Sequence, residues 1–155
     1  MKNMTKMAVL LLGCALAMPG FAAKDPKKSA IKARQGEMQL RAFSAGPLFA
    51  MAKGKMPYDA AKAQAMADNL VKLMEVDISA SWMKGTDNKA YPDDTTSLPK
   101  IWTTYPEIAD YGKKYAKAVK ELAEVAGKGQ DQLKSKVGAL GKSCKSCHDD
   151  FREKK

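Results

Sequence analysis

The chain has 155 residues, with 27 Lys+Arg against 17 Asp+Glu, a formal net charge of +10, and only 7% aromatic residues. That length suits one domain of ~100–200 residues around a single core. A composition rich in Ala, Lys, Met and Leu, and poor in β-branched and aromatic residues, argues against a sheet-built fold.

The first element is a leader. Lys2 and Lys6 precede an apolar run from Met7 to Met18, and small residues follow at Gly20, Ala22 and Ala23. A run of about twelve apolar residues falls short of the ~20 needed to span a bilayer. The pattern is that of a secretory signal over residues 1–23, cleaved after Ala22 or Ala23. Leu11-Leu12-Gly13-Cys14 also resembles a bacterial lipobox, so lipid anchoring through Cys14 stands as an alternative. An exported, periplasmic protein seldom meets nucleic acid, and no nucleic-acid partner is expected. Its basic charge, two lower once Lys2 and Lys6 leave, suits encounters with acidic redox partners or anionic membrane surfaces, or is a plain solvated surface.

Residues 24–155 read as one all-α domain. A first helix is expected over about Pro26–Ala52, with Ile31, Met38, Ala42, Ala45, Phe49 and Ala52 recurring at helical intervals. Pro47 predicts a kink or short break near Ala45 and Gly46. Gly54 to Pro57 form a turn, and Asp59 caps a second helix over about Tyr58–Ser79, with Ala63, Met66, Leu70, Leu73, Met74 and Ile78 on its core face. A polar loop runs from Lys84 to Ser97. A third helix opens near Pro99, is divided at Pro106 and continues to about Ala126, where Gly127 and Gly129 end it. The fourth starts near Gln130 and carries Leu133, Val137, Leu140, Cys144, Cys147, His148 and Phe151. Two short connections and one long loop suit an antiparallel up-down-up-down four-helix bundle.

The last helix holds the chemistry. Cys144-Lys145-Ser146-Cys147-His148 is a C-x-x-C-H run, and its three reactive side chains stand at i, i+3 and i+4 on one helical face. Two thiols at that spacing can add across the two vinyl groups of one haem, and the adjacent imidazole then becomes an axial ligand of the iron. With the leader removed these are the only cysteines, and His148 is the only histidine. A zinc site wants four such ligands and finds three. A thiol redox pair usually accompanies a βαβ pattern. A plain Cys144–Cys147 disulfide in a haem-free exported bundle is the remaining alternative. One covalently bound c-type haem in the bundle core is the reading favoured here. Gly36, Ala42, Gly138, Ala139 and Gly141 leave room for a macrocycle, or simply allow close helix packing.

With these residues in place, the whole mature sequence resembles the class II cytochromes c, the family of cytochrome c prime and its low-spin, methionine-ligated relatives. The most specific match is C-K-S-C-H close to the carboxyl end, followed by Phe151-Arg152. Weaker matches are Arg34-Gln35-x-x-Met38, Lys53-Gly54 before Pro57-Tyr58-Asp59, Trp82-x-x-Gly85-Thr86 and Pro99-Lys100-Ile101-Trp102. The resemblance implies that Cys144 and Cys147 carry the thioethers and that His148 is the proximal ligand, with Arg152 beside its imidazole. It implies that Arg34 and Gln35 approach the haem edge and propionates, near Thr86 and Asp87. Solvated helix faces are the alternative for Arg34 and Arg152.

Met38 takes the family's distal position, where three readings stay open: a sixth iron ligand, an unbound cover over an open iron, or a core methionine. The sequence offers no catalytic dyad, no nucleophile paired with a base and no phosphate-binding Gly-rich loop, so a non-enzymatic protein is expected, with two roles open. One is a one-electron carrier serving redox partners of a periplasmic respiratory chain. The other binds nitric oxide or carbon monoxide (NO/CO) in an apolar distal pocket without a hydrogen-bond donor. A homodimer through the first two helices is expected.

Overall fold

Asp25 opens the first helix. In the computed structural model, which describes residues 25–154, its carboxylate accepts from the backbone N–H groups of Lys27 (2.8 Å) and Lys28 (3.4 Å). Pro26 follows in the first turn, where its missing N–H has no helical partner to lose. The expected leader, with Cys14, lies outside the described residues.

Helix α1 spans Pro26–Ala52 without interruption, so the break expected at Pro47 does not occur. Proline removes one helical hydrogen bond, and the carbonyl left over is that of Phe43 four residues back. Phe43 is 73% exposed, which lets water take the vacated position. Just beyond, Leu48, Met51 and Ala52 are buried and hold the segment on course. The helix closes at Gly54, whose φ of +68° is one that few other residues adopt, with its N–H donating to Met51 O (3.1 Å).

Asp59 caps α2 (Ala60–Glu75), accepting from the Lys62 N–H at 2.9 Å. This helix ends earlier than Ser79. Val76 turns extended, and the Asp77 carboxylate accepts from Ser79 N–H (2.9 Å), starting a 3₁₀ turn over Ser79–Ser81 in place of another helical turn. The expected third helix is two pieces, α3 (Lys100–Thr103) and α4 (Ile108–Ala123), with Pro106 between them. Helix α5 runs Gln130–Phe151, as the spacing predicts.

The four long helices pack in a ring, α1 on α2, α2 on α4, α4 on α5 and α5 on α1. This is the antiparallel four-helix bundle. One end is filled by Leu48, Met51, Ala63, Ala67, Leu122, Leu133 and Val137. Polar side chains lock that end. Tyr58 Oη donates to Ala126 O (2.9 Å) and accepts from Gly129 N–H (2.8 Å). Gln64 Nε2 donates to Ala123 O (2.9 Å), its Oε1 accepts from Gly127 N–H (3.1 Å), and Gln130 Nε2 donates to Met51 O (2.8 Å). Gly127 is required there, because a Cβ would come within 3.0 Å of Gln64 Oε1 and 3.3 Å of Ala60 O.

At the opposite end, the segment between α2 and α4 is strapped to the end of α5. Leu98 N–H donates to Phe151 O (2.9 Å) and Glu153 N–H to Thr96 O (2.8 Å). Phe151 is buried edge-on to Tyr111, with ring centroids 5.1 Å apart.

Candidate haem site

Cys144, Cys147 and His148 face a cavity of about 1230 Å³ between α1, α4 and α5. Drug-sized ligands occupy pockets of roughly 300–1,000 Å³, so a large flat macrocycle has room. Helix α1 supplies Met38, Ala42, Ala45 and Phe49 to the wall, α2 supplies Leu73 and Met74, and α4 supplies Ile108, Tyr111, Gly112 and Tyr115. A Cβ placed on Gly46 or Gly112 would meet nothing within 4 Å. His148 also borders a second cavity of about 760 Å³, shared with Gln35, Asp94, Asp149 and Arg152. The imidazole thus stands in the partition between the two.

Both cysteines are free thiols, and burial pushes both up from the ordinary thiol range. Burial, together with the nearby Arg152 charge, holds the His148 imidazole below its usual value and so neutral, the form that binds metals. Two protonated thiols and a neutral imidazole on one face, opposite an apolar wall of small and aromatic residues, fit a c-type haem. Cys144 and Cys147 would hold it covalently and His148 would bind its iron. The haem supplies one-electron redox chemistry and an iron able to take a small ligand.

The other predicted residues divide. Met38 is half-buried and lines the cavity on the α1 side. Arg34 is only 3% exposed, which excludes a solvated helix face. Its Nη1 donates to Ser81 O (2.7 Å) and Thr86 Oγ1 (3.1 Å), and its Nη2 to Thr86 O (2.9 Å). The guanidinium lies 5.0 Å from the Trp82 ring centroid and 5.8 Å from that of Trp102. Both indoles line the large cavity while Arg34 and Thr86 do not, so this pair stands one layer behind the wall.

Gln35 is exposed, donates to Asp94 O (2.7 Å), and borders the second cavity. Asp87 accepts from the N–H groups of Lys89 (2.9 Å) and Ala90 (3.1 Å), and so shapes the loop without lining either cavity. Arg152 is the exposed C-cap of α5 with extended backbone (φ −123°, ψ 132°). Its N–H donates to His148 O (3.1 Å), it is bridged to Ser97 of the strap, and it borders the second cavity beside His148.

Several residues of the cavity escaped the sequence reading, Glu37, Arg41 and Tyr115 among them. Glu37 is buried and ion-paired with Arg41, whose guanidinium lies 4.4 Å from the Tyr115 ring centroid. Burial pushes Tyr115 up to about 12, with the Arg41 charge opposing. Burial also raises Glu37, again against Arg41. The large cavity as a whole is therefore not purely apolar, since Arg41 and Tyr115 both line it. Their only sequence signal is spacing: Arg41 follows Glu37 by four residues and Met38 by three.

A four-helix bundle presenting two thiols and a histidine from its last helix into a central cavity is the architecture of a carboxyl-terminal c-type haem protein. The cytochrome C' family model matches residues 29–152, and the chain belongs to that family. It binds a covalently attached haem c, so the haem-free disulfide alternative falls. The cytochrome c' of Cereibacter sphaeroides is 41% identical over 150 residues, covering 95% of this chain and 98% of that one. A solved cytochrome c' from Rhodobacter superposes with a TM-score of 0.81 at 42% identity, covering 83% of this chain and 98% of its own. A ferrous cytochrome c prime variant from Alcaligenes xylosoxidans, solved with bound NO, is 28% identical with a TM-score of 0.71, covering 83% of this chain and 97% of its own.

Proposed function

We propose that the protein is an exported, periplasmic haem protein that binds NO or CO at the iron and exchanges single electrons with acidic redox partners of a respiratory chain. The observation that carries this reading is the roomy cavity with His148 on one wall and Met38 on another. A thioether cover without a second histidine leaves the far side of the iron to small neutral molecules. The NO-bound Alcaligenes relative supports that ligand class. Electron exchange needs a haem edge near the surface, and the cavity is bordered by exposed Val76 and Tyr105. Binding and electron transfer, not turnover of a substrate, are the roles inferred.

The same reading includes a homodimer through α1 and α2. Leu40 and Phe43, 54% and 73% exposed, lie on α1 outside the cavity lining and offer an apolar contact.

Absorption spectra of ferric and ferrous protein, with and without CO, test the proposal. A high-spin ferric spectrum and a CO-shifted ferrous Soret band are expected. A ferrous spectrum that CO leaves unchanged overturns gas binding and leaves a carrier with Met38 on the iron.

A further inference from the structure

The chain has three arginines, and their electrical surroundings differ. Arg152 is exposed, so water and salt screen it, and Arg41 is offset by its ion pair with Glu37. Arg34 is buried, and none of the ion pairs among the described residues includes it. Its partners are neutral oxygens instead. The four Nη hydrogens go to Ser81 O, Thr86 Oγ1, Thr86 O and, at 3.5 Å, Ser97 Oγ. These dipoles make the burial tolerable without cancelling the charge.

Holding the segment does not call for a cation. A neutral amide side chain can donate to carbonyls too, and burying an isolated charge costs far more than burying a polar group. What a neutral donor cannot supply is a field. The guanidinium lies over the Trp82 and Trp102 rings, and both rings line the haem cavity. One layer of aromatic side chains thus separates an uncompensated charge from the cofactor's place. A charge acts across such a layer with much less weakening than across water.

The sign follows from the electron count. One-electron reduction removes one positive charge from the haem, so a nearby cation disfavours the ferric form and favours the ferrous one. We propose that Arg34 is a fixed, uncompensated charge that raises the reduction potential of the haem, with Trp82 and Trp102 as the spacer between them. This rests on the one-electron role proposed above and names a residue that shifts its driving force.

Potentiometric titration of the holoprotein with soluble mediators, followed in the Soret region, reads the ferric–ferrous equilibrium. Urea unfolding is measured in parallel. Ser97 is half-buried, and its Asp and Asn variants are nearly equal in size, but only Asp puts a carboxylate beside the guanidinium. Ser97→Asp is expected to shift the equilibrium about tenfold towards ferric, the size of one unit charge acting at the effective dielectric of proteins. Ser97→Asn stays within about twofold of wild type. Arg34→Gln shifts it about tenfold in the same direction as Ser97→Asp. Arg34→Lys keeps the charge and most of the potential while losing stability with the planar fork. High salt leaves these shifts in place, because it screens exposed charges and not a buried one.

A purely structural Arg34 would move stability and leave this ordering of potentials absent. Equal potentials for Ser97→Asp and Ser97→Asn, Arg34→Lys falling as far as Arg34→Gln, or shifts that salt abolishes would each overturn the inference while electron exchange stands. Wild-type haem that mediators cannot reduce and reoxidise reversibly removes the one-electron role, and with it both readings.

Discussion

Arg34→Leu tests the layer behind the haem wall. Three short hydrogen bonds from the guanidinium, at 2.7, 3.1 and 2.9 Å, end on Ser81 O, Thr86 Oγ1 and Thr86 O, and a fourth, at 3.5 Å, reaches Ser97 Oγ. Bonds from a charged donor contribute roughly 1.5–3 kcal/mol each, so about 4–9 kcal/mol is removed. Against this stands the burial of a cation for which the described residues provide no carboxylate within ion-pair distance, a cost of several kcal/mol that leucine avoids. The difference is a loss of about 2–4 kcal/mol, a large share of the ~5–15 kcal/mol typical of a domain.

Urea unfolding of the holoprotein, followed by circular dichroism, measures that loss. Tryptophan emission localises it, because Trp82 and Trp102 are the only two tryptophans and both flank the guanidinium. Arg34→Lys should fall between wild type and leucine, keeping charge but losing the planar fork. A loss under about 0.5 kcal/mol, with unchanged emission, would mean that the Ser81–Ser97 segment is held without Arg34.

Replacing Cys144 and Cys147 together by Ala should release the haem into acid acetone, whereas the wild-type haem stays with the protein; free extraction from wild type would refute thioether attachment. Met38→Ala should speed CO binding to the ferrous protein and leave the ferric iron high spin. Loss of a near-infrared sulfur band in that variant would instead identify Met38 as a ligand. Tyr115 should be a late-titrating tyrosine in an alkaline ultraviolet titration, ionising near 12 because of burial. Since its folded value lies above the ordinary 10, its contribution to stability is complete below about pH 10 and is lost as pH rises through about 12. Tyr115→Phe should flatten that alkaline decline, and an unaltered decline would count against it.

Helix α5 was legible almost to the residue, because its apolar and cysteine positions repeat at helical spacing and Gly129 marks its start. Helix α1 was legible in extent but not in facing. Leu48 and Met51 are fully buried yet off the expected stripe, because α1 packs on α2 with one side and α5 with another. Arg34 was legible as a site residue but not in its bonding, since its partners lie 47 and 52 residues away. Glu37 and Arg41 went unread because an i,i+4 pair of opposite charges is common on solvated helix faces, and only the assembled bundle puts a cavity in front of them. Pro47 misled because the local rule for proline takes no account of where the orphaned carbonyl points.

The locked end of the bundle has a mechanical consequence. Tyr58, Gln64 and Gln130 rivet the α1–α2 hairpin to the α4–α5 hairpin at one extremity, while the attachment cysteines sit toward the other. The pair of hairpins therefore behaves as tongs with a fixed pivot, and spreading of the jaws leaves Leu48, Leu122 and Leu133 undisturbed. In protein lacking haem, amide exchange should stay slow around that pivot and become fast around Met38 and Cys144; equal exchange at both extremities would contradict it. A bulky, rigid macrocycle can then enter a half-assembled molecule without the chain first having to come apart.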